Sequence, residues 1–196
     1  MISGETVSNI FLYFSIMTKK MFLLVFIIIS FYTHALHAQE KEGKKKHAPT
    51  EDTTLPYVKY PTLPAFNILL VDSTTILNTY NIPEGKPIGL FFFDPECSHC
   101  QKEVKTLLKG MDSIKDIQFY MITPVHSMTE IRKFYDDYHL GDYKNIVAIG
   151  RDYEFFFGTF FGVKYVPDLA LYDGHKKLIK LLEGAMPVKE LYKYTH

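Results

Sequence analysis

The stretch Ile88-Gly89-Leu90-Phe91-Phe92-Phe93-Asp94-Pro95-Glu96-Cys97-Ser98-His99-Cys100 decides how the rest of the chain is read. Its first six residues form an unbroken apolar run, as expected of a strand buried on both faces. Two cysteines separated by two residues follow at once. Beyond them Val104, Leu107, Leu108 and Met111 fall at i, i+3, i+4 and i+7 spacing, which predicts a helix opening near Cys97. A buried strand running straight into an amphipathic helix puts Cys97 at the junction. There the free N–H groups and dipole of the helix N-terminus favour an anion, and the thiolate is the reactive form of cysteine. Cys100 falls one turn further along on the same side. From that place it can attack a mixed disulfide formed at Cys97 and release the partner. His99, next to Ser98 and between the thiols, offers a positive charge or a donor close to the thiolate.

Outward from this centre, apolar runs alternate with amphipathic segments. Phe66 to Val71 and Thr74 to Leu77 read as short strands around an Asp72-Ser73 turn. Ile117 to Ile122 and Ile146 to Ile149 read as further strands, separated by a helix from Thr129 to Tyr138 that ends near Gly141. Asp152 to Phe161 reads as an aromatic-rich helix stopped by Gly162. Leu169 to Tyr172 and Lys177 to Leu182 flank Asp173-Gly174, a strong hairpin signal. Pro187 to Tyr194 closes the chain as a helix with proline in its first turn. Alternating strands and helices finished by a hairpin predict an α/β fold, a central mixed β-sheet with helices on both faces.

The ends and the composition narrow the function. The 196 residues carry 22 basic and 22 acidic side chains, a balance that gives no sign of a nucleic-acid partner. Lys19 and Lys20 precede an apolar stretch from Met21 to Phe31, and a more polar segment ends at Ala38. That order is the pattern of a secretory signal, so residues 1–38 are expected to be a signal peptide cleaved after Ala38. Residues 1–16 precede a second candidate start at Met17. A membrane span needs about 20 apolar residues, so the membrane is a partner only if this segment stays uncleaved as an anchor. Residues 39–62, with Lys44-Lys45-Lys46 and several prolines, read as a flexible linker, and 63–196 as the folded domain. Export also bears on the two cysteines, Cys97 and Cys100, which are the only ones in the chain. A bridge closing so short a loop removes little unfolded-state entropy, which argues for chemistry over stapling. The expected cofactor list is therefore empty apart from a redox-active Cys97–Cys100 disulfide.

The segment Phe93 to Glu103 resembles the active-site region of thioredoxin-like proteins of the TlpA/ResA type. The resemblance runs from about Leu63 to Tyr194 and takes in Gly85-Lys86-Pro87 before the central strand and Tyr165-Val166-Pro167 before the last hairpin. It implies a thioredoxin-like fold and an exported thiol–disulfide oxidoreductase, periplasmic or tethered to the membrane. The expected partners are exported protein thiols and disulfides and a membrane or periplasmic redox protein. It matches Cys97 with the exposed nucleophile and Cys100 with the buried resolving cysteine. It matches Pro167 with a cis-proline whose preceding residue, here Val166, meets the substrate. Glu103, three residues after the second cysteine, matches an acidic residue that tunes the site, where a raised pKa would let it relay a proton to the resolving thiol. Two positions depart from the pattern. Glu96 stands where tryptophan usually precedes the first cysteine, and Val166 stands where threonine is common.

Two other readings stay open on the residues themselves. One is metal handling, of copper for instance, by both thiolates with a histidine such as His99 or His175; His126 and His139 complete the candidates, at no recognisable metal-site spacing. The other is a redox-quiet binding module that keeps the fold for protein recognition.

Overall fold

The computed structural model describes residues 54–194. In chain order the elements are α1 (Pro56–Lys59), β1 (Asn67–Leu70), β2 (Ile76–Asn78), β3 (Ile88–Phe92), α2 (Ser98–Lys109), β4 (Gln118–Thr123), α3 (Met128–Asp137), β5 (Ile146–Arg151), α4 (Phe156–Phe161), β6 (Asp168–Tyr172), β7 (Leu178–Glu183) and α5 (Val188–Tyr192). Three short 3-10 turns join them, at Thr79–Asn81, Met111–Ile114 and Leu140–Asp142. Seven strands form one mixed sheet in the order β2-β1-β5-β4-β3-β6-β7. β3 runs parallel to β4 and antiparallel to β6.

Alternation of side chains along each strand divides the core between the two faces. Phe91 and Phe93 of the β3 stretch join Phe119 and Met121 of β4 and Leu169 and Leu171 of β6 on one face. Cys100, Val104 and Leu107 of α2, Ile131 and Phe134 of α3 and Leu191 of α5 cover that face. Ile88, Leu90 and Phe92 point the other way, with Tyr120, Ile122, Ala170 and Tyr172, beneath Phe157 and Phe161 of α4. All five residues of β3 are buried, and full burial of a side chain such as Phe91 or Leu90 is worth about 1.5–3 kcal/mol. That is why the apolar run reads as a strand with no polar face. Gly89 is required inside it, because a Cβ there would lie 2.9 Å from the Phe119 ring.

Local chemistry fixes the helix ends. Ser127 Oγ accepts the Glu130 N–H at 3.3 Å, so Ser127-Met128-Thr129-Glu130 begins α3 as a capping box would. The chain leaves α3 at His139, which takes a left-handed φ of 49°, two residues ahead of the expected stop at Gly141. α4 is shorter than expected. Asp152 is not helical but caps it: Oδ2 accepts the Phe157 N–H at 2.7 Å, and Phe155 takes a left-handed φ of 54° before the helix starts. Gly162, at φ 67°, ends it as the sequence implies. Pro187 stands as the cap before α5, with Val188 the first helical residue.

The boundary expected at residues 62 and 63 also moves. α1 lies within the segment read as flexible linker, and the Tyr57 ring meets Phe161 of α4 with centroids 5.8 Å apart. Leu63 N–H donates to Lys176 at 2.8 Å and Leu178 N–H to Pro61 at 2.7 Å, and Thr62 forms a β-bridge with Lys177. The order of this segment comes from contacts with α4 and β7, which no local pattern within it records. Residues 1–38, read as a signal peptide, and residues 39–53 of the segment read as a linker lie outside the described residues.

Candidate active site

The loop between β3 and α2 is built to present Cys97. Asp94 Oδ1 accepts the Glu96 N–H at 2.8 Å, and the Asp94 carbonyl accepts the Cys97 N–H at 3.2 Å, a tight turn of the kind aspartate forms with its own neighbours. Gln101 reaches back from α2, Nε2 donating to the Pro95 carbonyl at 2.9 Å. Cys97 is the N-cap residue of α2, with φ −71° and ψ 117°, and its side chain makes no capping hydrogen bond. The residue is partly buried, at the helix end where unpaired N–H groups gather.

Cys100 is wholly buried, 0% exposed, on the α2 side of the core. Burial pushes its thiol up to about 12, against the opposing pull of the Asp94 backbone amide, and the neighbouring Cys97 and the Asp94 charge add to the rise. The Asp94 N–H donates to Cys100 Sγ at 3.5 Å. The two cysteines are not bridged to each other, one partly accessible and the other enclosed. The two thiols of the motif are thus distinguished by environment alone.

Beside Cys97 lies an apolar groove of about 480 Å³, lined by Phe92, Cys97, His99, Gly158 and the Val163-Lys164-Tyr165-Val166 segment. Its floor is firm: Phe92 stacks on Phe157 at 4.6 Å between ring centroids. Its far wall ends in the Val166–Pro167 peptide, which is cis. Pro167 is buried, and its carbonyl accepts the Gly184 N–H at 2.8 Å. Among the described residues the N–H and carbonyl of Val166 take no hydrogen bond. On the opposite side of the Pro95-Glu96 turn is a charged cleft of about 740 Å³ between α2 and α3. Exposed Glu96 opens onto that cleft, along with Lys105, Glu130, Lys133 and Asp137, and not onto the groove.

The residues singled out from the sequence therefore separate. Cys97, His99 and Val166 come together around the groove, and Cys100 lies beneath Cys97. Ser98 and His99 are exposed. Glu103, one turn beyond Cys100, is half-buried, and its Oε2 accepts the Met186 N–H at 3.1 Å. Two groups escaped the sequence reading. The Asp94 amide contacts the Cys100 sulfur, which no side-chain motif records. Asp168, directly after Pro167, is 2% exposed; an acidic residue inside the run Val166 to Tyr172 was the visible signal. Among the described residues no three His, Cys, Asp or Glu side chains group so as to hold a metal ion.

The strand order, the strand–loop–helix setting of Cys97 and Cys100 and the two-sided helical cover define a thioredoxin-like α/β protein. The thioredoxin-like domain family matches residues 80–196, and the chain belongs to that family. Solved structures share the fold at low identity. A secreted disulfide oxidoreductase of Mycobacterium tuberculosis, homologous to Escherichia coli DsbE, is 18% identical, with TM-score 0.54 over 66% of this chain and 93% of its own. The thioredoxin domain of a Bacteroides vulgatus thiol–disulfide oxidoreductase is 17% identical, with TM-score 0.56 over 69% and 96%. StoA of Bacillus subtilis is 14% identical, with TM-score 0.53 over 69% and 99%. No curated protein matches the chain.

Proposed function

We propose that the protein is a thiol–disulfide oxidoreductase acting on exported proteins through Cys97 and Cys100. The observation that carries the reading is the asymmetry of the pair: Cys97 half-exposed at the N-cap of a 12-residue helix beside an apolar groove, Cys100 enclosed beneath it.

In the reducing direction the Cys97 thiolate attacks one sulfur of a substrate disulfide. A Cys97–substrate disulfide forms, the substrate S–S bond breaks, and the departing sulfur leaves as a thiolate that takes a proton from solvent. Cys100 then loses its proton and attacks Cys97 Sγ, which forms the Cys97–Cys100 disulfide and expels the second substrate thiolate. Two electrons pass to the substrate, and the reverse sequence oxidises a dithiol. The Asp94 N–H, directed at Cys100 Sγ, stabilises the charge that develops there. The unpaired backbone groups of Val166 suit an extended substrate segment, which would pair with them as a short added strand. Pro167, with no N–H of its own, anchors that wall. Glu103 serves here as a positioning residue that fixes the turn before α5 against α2, and Ser98, His99 and Glu96 set the polarity around Cys97.

Export follows from reading residues 1–38 as a signal peptide, and it fits the secreted protein among the structural relatives. Partners would then be exported protein thiols and disulfides together with a membrane or periplasmic redox protein. Among the described residues no helix is long and apolar enough to cross a membrane.

The test is trapping. Cys100→Ala is expected to accumulate covalent partners that dithiothreitol releases, whereas Cys97→Ala accumulates none. Equal trapping by both variants, or by neither, sinks the reading.

A further inference from the structure

Beside Phe92, a residue of the groove, sits a carboxyl group that thiol–disulfide exchange does not use. Asp168 opens β6 directly after Pro167, and in the antiparallel pairing with β3 it stands opposite Phe92. Residues paired in this way share a face, so Asp168 lies on the Phe92 side of the sheet, beside Phe92 and two residues from Val166, both of which line the groove. It is 2% exposed, and its Oδ1 has no hydrogen-bond partner.

The charges around it make the anion unwelcome. On β7 the residue paired with it is Glu183, a second carboxylate, and like charges directly opposite each other repel. β3 faces it with Phe92, an uncharged ring. α4, whose Phe157 packs on Phe92, is Phe-Phe-Gly-Thr-Phe-Phe and holds no titratable side chain. Lys164 and Tyr165, His99 and Cys97 belong to the groove rim. A buried carboxylate needs a cation or several donors to remain ionised; here one oxygen is bare and the facing group is an acid. Burial first, and then the Glu183 charge, push Asp168 up to about 7.

We propose that Asp168 is a positioning residue for the Cys97 centre: as the neutral acid it lets Phe92 and the Val166–Pro167 wall close tightly over it, and once ionised it loosens them. The groove would then grip an apolar substrate segment in acid and near-neutral solution and release its grip as the pH rises. This rests on the oxidoreductase reading, and it adds a pH dependence that belongs to the groove and not to the thiols. Proton loss from Asp168 is the whole of the switch; no electron moves at that residue.

Two mixed disulfides carrying the same leaving thiol separate the effects, one built on an uncharged apolar peptide and one on a small hydrophilic thiol. The ionisation of Cys97 acts on both rates and cancels in their ratio. For the wild-type chain the ratio of peptide to small-disulfide rate is expected to fall severalfold between about pH 5.5 and about pH 8.5, with a midpoint near neutrality. Asp168→Asn should make the ratio independent of pH, and Glu183→Gln should move the midpoint towards acid. Exchange with both disulfides at a ratio that does not vary with pH in the wild type, or that still varies in Asp168→Asn, overturns the proposal alone. Absence of exchange with either disulfide at every pH overturns the oxidoreductase reading and this proposal with it. A carbon-13 titration of the Asp168 carboxyl in the wild-type protein gives an independent arm: a midpoint near neutrality supports the proposal, and one in the ordinary carboxylate range overturns it whatever the rates.

Discussion

The backbone N–H of Met186 donates to Glu103 Oε2 at 3.1 Å, across 83 residues of chain. Met186 itself is buried, so this one bond ties the turn after β7 to the helix that carries Cys100. A partly buried hydrogen bond to a charged acceptor is worth about 1.5–3 kcal/mol. Glu103→Ala is therefore expected to lower stability by about that amount, and Glu103→Gln, which keeps an acceptor oxygen, by less. Urea denaturation followed by circular dichroism measures both. Equal losses in the two variants would dismiss the bond as the cause.

The thiols should differ in reactivity as they differ in burial. Cys100 is held as the neutral thiol, its ionisation displaced to about 12 by burial, and alkylation needs the thiolate. Brief treatment of the reduced native chain with iodoacetamide at about pH 8 is expected to label Cys97 alone, because the Cys100 fraction ionised there is about one in ten thousand. Denatured chain should take two labels. Mass spectrometry counts them, and native double labelling at equal rates would contradict the burial of Cys100.

Gly89 stands with the Phe119 ring where a Cβ would be. Gly89→Ala forces either the ring or β3 to shift, and such overpacking costs about 1–3 kcal/mol. A lowered thermal midpoint is expected, with the same fold by circular dichroism. An unchanged midpoint would mean that the ring moves freely.

Asp168 makes stability depend on pH in the direction opposite to that of a salt-bridged carboxylate. It binds its proton more tightly in the folded chain, at about 7, than its ordinary value of 3.8. Below about pH 4 both states carry the proton and the group costs nothing. From about pH 4 to about pH 7 the unfolded chain ionises first, so folding loses stability, and above that range the loss is complete. The loss is on the order of a few kcal/mol. Asp168→Asn is expected to gain stability relative to wild type between about pH 5 and about pH 8, read from denaturant midpoints at each pH. A constant difference across that range would refute the assignment.

Much of the fold was legible because the decisive signals were local. The apolar run Ile88 to Phe93, the stripe Val104 to Met111 and Asp173-Gly174 fixed the central strand, the helix after it and the hairpin without reference to distant residues. What escaped depends on tertiary contact. α1 forms in a proline-rich stretch because Tyr57 has Phe161 to pack against and Leu55 fills the space beside Gly162. Asp152 looks like the first residue of a helix in sequence and becomes its cap once buried. At the site, the place of Cys97 and Cys100 at a strand–helix junction could be read from the local pattern, whereas the cis bond before Pro167 was implied only by the family resemblance. The partner of Glu103, a backbone amide 83 residues away, could not. Nor could the solitude of Asp168, since its neighbours arrive from β3 and β7.

The short pairing of Pro61, Thr62 and Leu63 with the start of β7 has a mechanical consequence. The segment from Pro61 to Phe66 is fastened at one edge of the sheet and, through β1, joins the other half beyond β5. A pull applied to the chain ahead of Thr54 is met first where Leu55 and Tyr57 pack on Gly162 and Phe161 and next by the hydrogen bonds to Lys176 and Leu178 at the start of β7, and not at the loop that holds Cys97. Tension from that side would thus be shared between α4 and the frame of the sheet before it reached the loop that holds Cys97.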